Sequence, residues 1–462
     1  MNLPNYFLAD LPPDAPLTAG MIHDACQAMK RNRAQYLAGR ATESLIALLG
    51  ELGANWMRPD YPLRLCALDR GPSILGFSRS TIERGLDAFF AELTAENLRA
   101  LIVQELGHAQ RLDGMAASAV ERTANRAAIV RGPELLAHIT AGNVPNPALM
   151  SMVLGVVGRS AQFVKCAQGA SLLPRLFAHS IYESDPKLAA CIELAEWPGG
   201  SIDLEAALFA ESECVTVTGS DETLDEVRRR LPSSARFIGY GQRVSFGFIT
   251  REVLSGAGAR RVARDAAVDV AAWDQQGCLS PHVFYVESGG GHSPAQFAAL
   301  LAEELALLEA AFPRGELSLA ESTRIALQRD FYRVRSAAAS ESHESMATEI
   351  WCSEGSTAWT VVCEDDPRFH LSSLNRFIHV KRAADPGEAL QHAELMKGRI
   401  STVGLAATED RARAVAGQLA RWGVTRVCTV GRMQRPPLAW RHDGRPALAD
   451  LVTWTDWEQG PD

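Results

Sequence analysis

Cys278 stands in the stretch "WDQQGCLSPHVFYVE", where a polar run gives way to an apolar one. The segment before it, "RRVARDAAVDVAAWDQQ", repeats apolar residues at helical spacing, and "HVFYVE" is β-branched and aromatic, so the thiol falls at a helix-to-strand junction. Loops between rigid elements concentrate binding and catalytic side chains, and the chemistry open to a thiol there is nucleophilic. A small buried cysteine that merely packs is the commoner fate of this residue type, and the position alone favours that reading.

The remaining cysteines narrow the setting. The chain has nine, with no paired C-x-x-C spacing, which supports neither a disulfide framework nor a zinc site. Cys66, Cys166, Cys191, Cys214, Cys363 and Cys428 lie in apolar runs and read as core residues. No metal site is expected. A length of 462 residues predicts two or three domains, and 47% hydrophobic with 22% charged residues is a globular composition. The formal charge of -9 argues against a nucleic-acid binder, and short basic runs such as "VRRRL" read as solvated helix faces. The start "MNLPNYFLAD" lacks the basic and apolar regions of an export signal, and the longest apolar tract, "ALMSMVLGVVG", is too short to span a bilayer. A cytoplasmic location is the expectation.

The elements that must position Cys278 come in two alternating blocks. Residues up to about 130 read as helical, a layer expected to wrap the rest. From residue 134, strands "ELLAHIT", "AQFVKCA", "LAACIELAE" and "CVTVTGS" alternate with helices, the pattern of a parallel sheet covered on both faces. A second block from about residue 250 runs through "HVFYVE", "TAWTVVCE", "RFIHVKRA", "ISTVGLA" and "TRVCTVG" with helices between them. The tail "RPPLAWRHDGRPALADLVTWTDWE" has little periodicity. The expected division is 1–249 for a helical layer and nucleotide-binding domain, 250–430 for the domain carrying Cys278, and 431–462 for a segment packing across domains or subunits.

The order of "AGNVPNPAL", "QFVKCA", "VTVTGSDETLDEV", "GYGQRVSFGFI", "WDQQGCLSPHVFYVE" and "PPLAWRHDG" resembles the aldehyde dehydrogenase superfamily, and within it the LuxC-type acyl-CoA reductases. The resemblance covers about residue 130 to the end and implies an α/β fold with a Rossmann-type cofactor domain, a catalytic domain and a helical N-terminal layer. It makes Cys278 the nucleophile, in keeping with the ease of acyl exchange between sulfurs. A thiol pKa of about 8.5 then needs local lowering, with backbone amides around "QQGC" as one source. Asn143 matches the side-chain donor for the oxyanion, with the Cys278 N–H as partner; as a residue beside prolines it would otherwise be an ordinary turn former.

Cofactor residues follow the same resemblance. Gly219 allows close backbone approach and Ser220 can bond a pyrophosphate at a helix start, although Ser220 as a plain helix cap would look the same. Lys165 matches the lysine that reaches the adenosine ribose. Gln168 stands where many NAD-using relatives carry a glutamate; a neutral amide beside Lys165 tolerates a 2'-phosphate, which favours NADPH over NADH. Gly239 stands where aldehyde-oxidising relatives carry the glutamate that activates water, so an acyl-cysteine would survive for reduction.

The implied activity is NADPH-dependent reduction of a long-chain acyl-CoA to the aldehyde, with release of CoA. Asn375 and Phe377 fall near the region of the nicotinamide ribose, and His282 and His442 are candidate proton donors left outside the catalytic set. A homo-oligomer and an acyl-activating or carrier-protein partner are further expectations. Two rival readings stand beside this one. A carrier-protein thioester reductase or acyltransferase would use the same cysteine, with Arg228, Arg229 and Arg230 as a docking surface. A scaffold subunit would keep the fold and lose the chemistry, against which the retained Cys278, Asn143, Lys165 and Gly219 count.

Overall fold

The computed structural model describes residues 3–12, 15–341 and 348–459. The chain divides into two compact units: 1–75 with 86–241 and 437–462, and 76–85 with 242–436.

The helical reading of the N-terminal part holds over Ala19–Tyr36, Thr42–Met57, Pro62–Leu75, Arg79–Phe90 and Ala95–Leu106. Thr18 caps the first of these by accepting the Met21 N–H at 3.2 Å. That helix turns Ile22, Cys26 and Met29 onto a core shared with Leu135, Phe163 and Val215, so it covers one face of the sheet. Trp56 stacks on Phe90 at 4.7 Å and donates its indole N–H to Ser180 Oγ at 3.1 Å, which ties the layer to helix Leu172–Ser184.

Strand β1 (Arg126–Arg131) precedes a five-stranded parallel sheet of β2 (Leu135–Ile139), β3 (Ala161–Cys166), β4 (Ile192–Glu196), β5 (Cys214–Thr218) and β6 (Arg236–Tyr240). Its order is β4-β3-β2-β5-β6. The chain winds outward from β2 to one side and then to the other, the doubly wound order in which ligands sit beyond the carboxyl ends at the switch between β2 and β5. The apolar tract after Asn143 forms the buried helix Asn146–Val157. Strand β4 is shorter than expected, because Asp185 caps a short helix over Pro186–Ala189 and takes "LAA" out of the strand.

The second unit holds β7 (Val244–Ile249), β8 (Pro281–Glu287), β9 (Thr348–Cys352), β10 (Thr360–Glu364), β11 (Phe377–Ala383), β12 (Ile400–Ala406) and β13 (Arg426–Thr429). They form one sheet in the order β13-β12-β7-β8-β11-β10-β9, parallel except for β9 against β10. Alternation along β8 sends Phe284 and Val286 to helices Ala257–Ala271 and Pro294–Ala311, and Val283 and Tyr285 to helices Pro386–His392 and Glu409–Trp422. Helix Leu319–Glu341 and β9 were not read from the sequence.

Two boundaries differ from the expected division. Strand β7 pairs with β8 and β12, so the second unit begins at Gln242 and not at 250. The tail from Pro437 belongs to the first unit: the Glu105 carboxylate accepts the N–H groups of Ala447, Leu448 and Ala449, and β14 (Thr453–Glu458) pairs antiparallel with β1. Residues 460–462 of the expected C-terminal segment lie outside the described residues.

Candidate active site

Cys278 lies in the half-buried turn between the 3-10 segment Ala272–Gln275 and β8. Cys352 and Cys428 are also half-buried but lie within strands, so among the described residues Cys278 is the half-buried thiol on a turn. Burial pushes Cys26, Cys166, Cys191, Cys214 and Cys363 up to about 12, which makes them inert at neutral pH.

Two strained segments hold the Cys278 turn. Trp273, Asp274 and Gln275 have φ of 48°, 48° and 65°, and Leu374, Asn375 and Arg376 have φ of 61°, 56° and 64°. Each non-glycine residue in this left-handed region costs about 1–2 kcal/mol, so such runs persist only where surrounding contacts over-determine them. Here the two runs hold each other. Arg376 donates to Asp274 Oδ1 from Nε at 3.0 Å and Nη2 at 2.8 Å, with both side chains almost fully buried. Gln275 exchanges two hydrogen bonds with the Phe377 backbone, each at 2.8 Å, and donates to Pro281 O at 2.7 Å. Gln276 donates to Asn375 Oδ1 at 3.2 Å. Burial raises the Asp274 pKa, opposed by Arg376 and by the Gly315 N–H at 3.1 Å.

This clasp explains "WDQQ" and "LNRF" together, and it gives Asn375 and Phe377 a structural role. Both are buried: Asn375 is an acceptor for Gln276, and Phe377 packs with Ile325, Tyr332 and Val362. They shape the turn from beneath. The Trp273 ring in turn packs edge-on to Phe77, and a Cβ built on Gly85 falls inside the indole. Gly85→Ala is therefore expected to lower stability by about 1–3 kcal/mol, read as a shift of the urea midpoint at unchanged m-value.

His282, on β8, is pushed down to about 4 by burial and accepts the Ser372 N–H on Nδ1 at 3.0 Å, so it is a neutral imidazole with its proton on Nε2. His442, in the first unit, stacks on Tyr240 at 4.4 Å. Gly239 lies on β6, where an added Cβ would meet the Phe237 ring at 2.8 Å and Leu224 at 2.9 Å. A larger side chain at that position would require Phe237 and Leu224 to shift.

The first unit gathers the expected cofactor residues at the carboxyl ends of its strands. Asn143 lies exposed on the bend after β2, Gln168 exposed on the turn after β3, and Gly219 directly after β5. Asn143 and Gly219 therefore flank the switch point. Ser220 acts as the cap of helix Asp221–Arg230, accepting the Thr223 N–H at 3.3 Å. That helix carries Asp221 and Glu222 in its first turn. Lys165, the penultimate residue of β3, is 5% exposed, and its ammonium lies 6.0 Å from the Trp197 ring centroid and makes no hydrogen bond or ion pair among the described residues. Burial lowers its pKa. A buried cation with donors to spare at a doubly wound rim fits the ribose and phosphate oxygens of a dinucleotide. Glu196, which sequence reasoning missed, accepts the Gly169 N–H at 2.7 Å and sets a carboxylate beside the Gln168 turn.

Glu364, Asp366 and His370 lie close enough to hold a cation, and Lys381 already lies among them, 2.8 Å from Glu364 Oε1 and 3.3 Å from His370 Nδ1. Burial opposes ionisation of Glu364, yet His370 and Lys381 hold it down to about 2. With the folded pKa below the unfolded one, the pair's stabilisation is present above about pH 4.5 and lost as pH falls towards 2. The expected outcome is a thermal midpoint that falls across that window, and falls less in Glu364→Gln.

A sequence profile of the acyl-CoA reductase (LuxC) family matches residues 37–454. Two proteins named long-chain acyl-protein thioester reductase are similar: that of Vibrio harveyi is 22% identical across 70% of this chain and 64% of its own length, and that of Photorhabdus laumondii subsp. laumondii 21% across 70% and 63%. The match thus spans under two thirds of either relative. Among solved structures, the NAD-dependent benzaldehyde dehydrogenase of Corynebacterium glutamicum superposes with a TM-score of 0.66 over 96% of this chain and 91% of its own, at 13% identity. The fold is that of an aldehyde dehydrogenase, as expected from the sequence. Among the described residues no helix is long and apolar enough to cross a membrane. With its profile spanning most of the chain and its motifs placed on the matching strands and turns, this chain belongs to the acyl-CoA reductase (LuxC) family.

Proposed function

We infer that the protein reduces a long-chain acyl thioester to the free aldehyde through an acyl group carried on Cys278. The observation that carries this reading is the clasped turn: a half-buried thiol is held at great conformational cost in a chain whose other described thiols are buried or lie within strands. The Cys278 thiolate adds to the thioester carbonyl, and the donor thiolate departs, leaving an acyl-cysteine. The Cys278 N–H and the Asn143 amide are the proposed donors to the oxyanion. Gly239 removes the general base that would bring water to the acyl group. The chemistry asked of a bound reduced dinucleotide is hydride supply. Once the acyl carbon is reduced, its oxyanion collapses, the carbon–sulfur bond breaks, and Cys278 returns to the thiolate. Asn143→Ala is expected to lower kcat about 10²- to 10³-fold in steady-state aldehyde formation, with KM little changed.

The finer choices rest on fewer residues. Lys165, Gln168, Gly219 and Ser220 are the proposed dinucleotide residues. Gln168 favours NADPH, while the Glu196 carboxylate beside the same turn opposes a 2'-phosphate. Equilibrium fluorescence titration with the two reduced dinucleotides tests this: tighter NADPH supports the Gln168 argument, and tighter NADH rejects it.

For the acyl donor, the family description favours CoA, whereas the names of the two relatives favour an acyl-protein. The proposed partners are accordingly an acyl-CoA and, in the second reading, an acyl-activating or carrier protein. Aldehyde formed from purified protein, reduced dinucleotide and a long-chain acyl-CoA alone supports the first. Aldehyde formed only when the acyl group arrives on a protein supports the second. No aldehyde from either donor rejects the reductase reading.

A further inference from the structure

Two buried donors at the carboxyl rim of the first unit's sheet have no acceptor among the described residues. One is the ammonium of Lys165, near the end of β3. The other is the indole N–H of Trp197, which follows β4 directly and is 3% exposed. Lys165 pairs across the ladder with Ala195, so strand alternation turns Lys165 and Ala195 to one face and Glu196 to the other. Trp197 lies on the Lys165 side. Its ring packs with Phe163, Ala195 and Leu208, and its centre is 6.0 Å from the Lys165 ammonium. Buried donors left unpaired oppose folding, and two at one spot point to an acceptor that arrives with a ligand.

The spacing sizes that acceptor. Hydrogen bonds of about 2.9 Å from each side let one oxygen serve donors up to about 6 Å apart, and a group with several oxygens spans more. The donor set fixes its type. An ammonium and an indole N–H only donate, so they suit a group that only accepts: phosphate oxygens fit, whereas a ribose hydroxyl also needs an acceptor for its own proton. The nearby carboxylates are already held. Glu205, on helix Ile202–Glu211, accepts the Gly200 N–H at 3.2 Å and pairs with Arg230, and Glu196 reaches the Gly169 N–H from the opposite face. Access lies beside the pair, in the turn that Trp197 leads into. Gly200 has φ of 83°, and a Cβ added at Gly199 or Gly200 would meet nothing within 4 Å.

We propose that Trp197 is a specificity-determining residue of the dinucleotide site, its indole N–H joining the Lys165 ammonium to bind the 2'-phosphate of NADPH. This rests on the reading of the rim as the dinucleotide site. It gives the phosphorylated cofactor a group that recognises the phosphate itself, where Gln168 only tolerates it.

The test is direct binding, by isothermal titration calorimetry of the full chain with NADPH, NADH, adenosine 2',5'-bisphosphate and AMP, with no acyl donor present. Wild type is expected to bind NADPH about tenfold or more tighter than NADH, and the bisphosphate tighter than AMP by a similar factor. Trp197→Phe keeps an aromatic ring in the core and removes the N–H. It is expected to weaken NADPH and the bisphosphate about tenfold, the worth of one hydrogen bond to a charged group, and to move NADH and AMP by about twofold or less. A folded Trp197→Phe protein that holds NADPH as wild type does, the result expected of a pair bridged by buried water alone, overturns the proposal. Equal losses of NADPH and NADH overturn it as well. If Trp197→Phe does not fold, the wild-type comparison decides: a 2'-phosphate that adds no affinity to AMP overturns the proposal, and one that adds about tenfold upholds it. Wild type that binds neither reduced dinucleotide rejects the dinucleotide site and the reductase reading with it, whereas tight NADPH unmoved by Trp197→Phe rejects the role of Trp197 alone.

Discussion

Replacing Cys278 by alanine abolishes aldehyde formation, with kcat falling about 10⁴-fold or more, while the folded state is retained. The size follows from what the thiol does. It forms and breaks the only covalent link to the acyl group, so no other side chain can take up part of its role. Six of the other eight thiols are raised to about 11 or 12 by burial and so cannot substitute at neutral pH. Retained folding is expected because Cys278 is half-buried in a turn whose shape comes from Asp274, Gln275 and Arg376. Stopped assays of aldehyde, together with far-UV circular dichroism, separate loss of chemistry from loss of structure.

Arg376→Met is expected to lower stability by about 3–5 kcal/mol, and to cut kcat in whatever fraction remains folded. Breaking a buried ion pair costs this much because the surviving charge keeps its desolvation penalty. Arg376 bonds Asp274, donates from Nη1 to a second carboxylate, that of Glu309, at 2.7 Å, and donates to Phe312 O at 3.1 Å. Its loss strands the buried Asp274 carboxylate in a run of three left-handed residues. Chemical denaturation measures the first effect. A kcat decrease with nearly constant KM in the folded fraction reports the second, because the turn carries the nucleophile and not the substrate-binding surface.

Much of the fold was legible because parallel strands buried on both faces read as apolar runs, and helices between them repeat every three or four residues. Strands "HVFYVE", "ISTVGLA" and "TRVCTVG" were found in this way. Helix Leu319–Glu341 escaped because its outer face carries Leu319, Leu327, Phe331 and Val334 in the open, which blurs the amphipathic signal. The pairing of β14 with β1 spans most of the chain, and no local pattern announces a partner more than 300 residues away.

At the site, Cys278 was legible from its place between helix and strand together with the family motifs. The clasp was not, because left-handed backbone at Trp273, Asp274 and Gln275 carries no composition signal: Trp and Gln ordinarily avoid it, and Asp, which tolerates it, is as common in other conformations. Asn375 and Phe377 were drawn to this region, but their burial beneath the turn was not legible, since sequence shows proximity to a motif and not burial beneath it. Glu196 was invisible for a simpler reason. It acts across neighbouring strands, and strand order appears only in the folded sheet.

The measurement that bears most directly on the central claim is the intact mass of the protein after incubation with a long-chain acyl-CoA in the absence of reduced dinucleotide, for wild type and Cys278→Ala. The account predicts one acyl group per chain on wild type, none on the variant, and release of that group as aldehyde when NADPH is added. An adduct of equal size on Cys278→Ala, or a wild-type adduct released only as free acid, would contradict it.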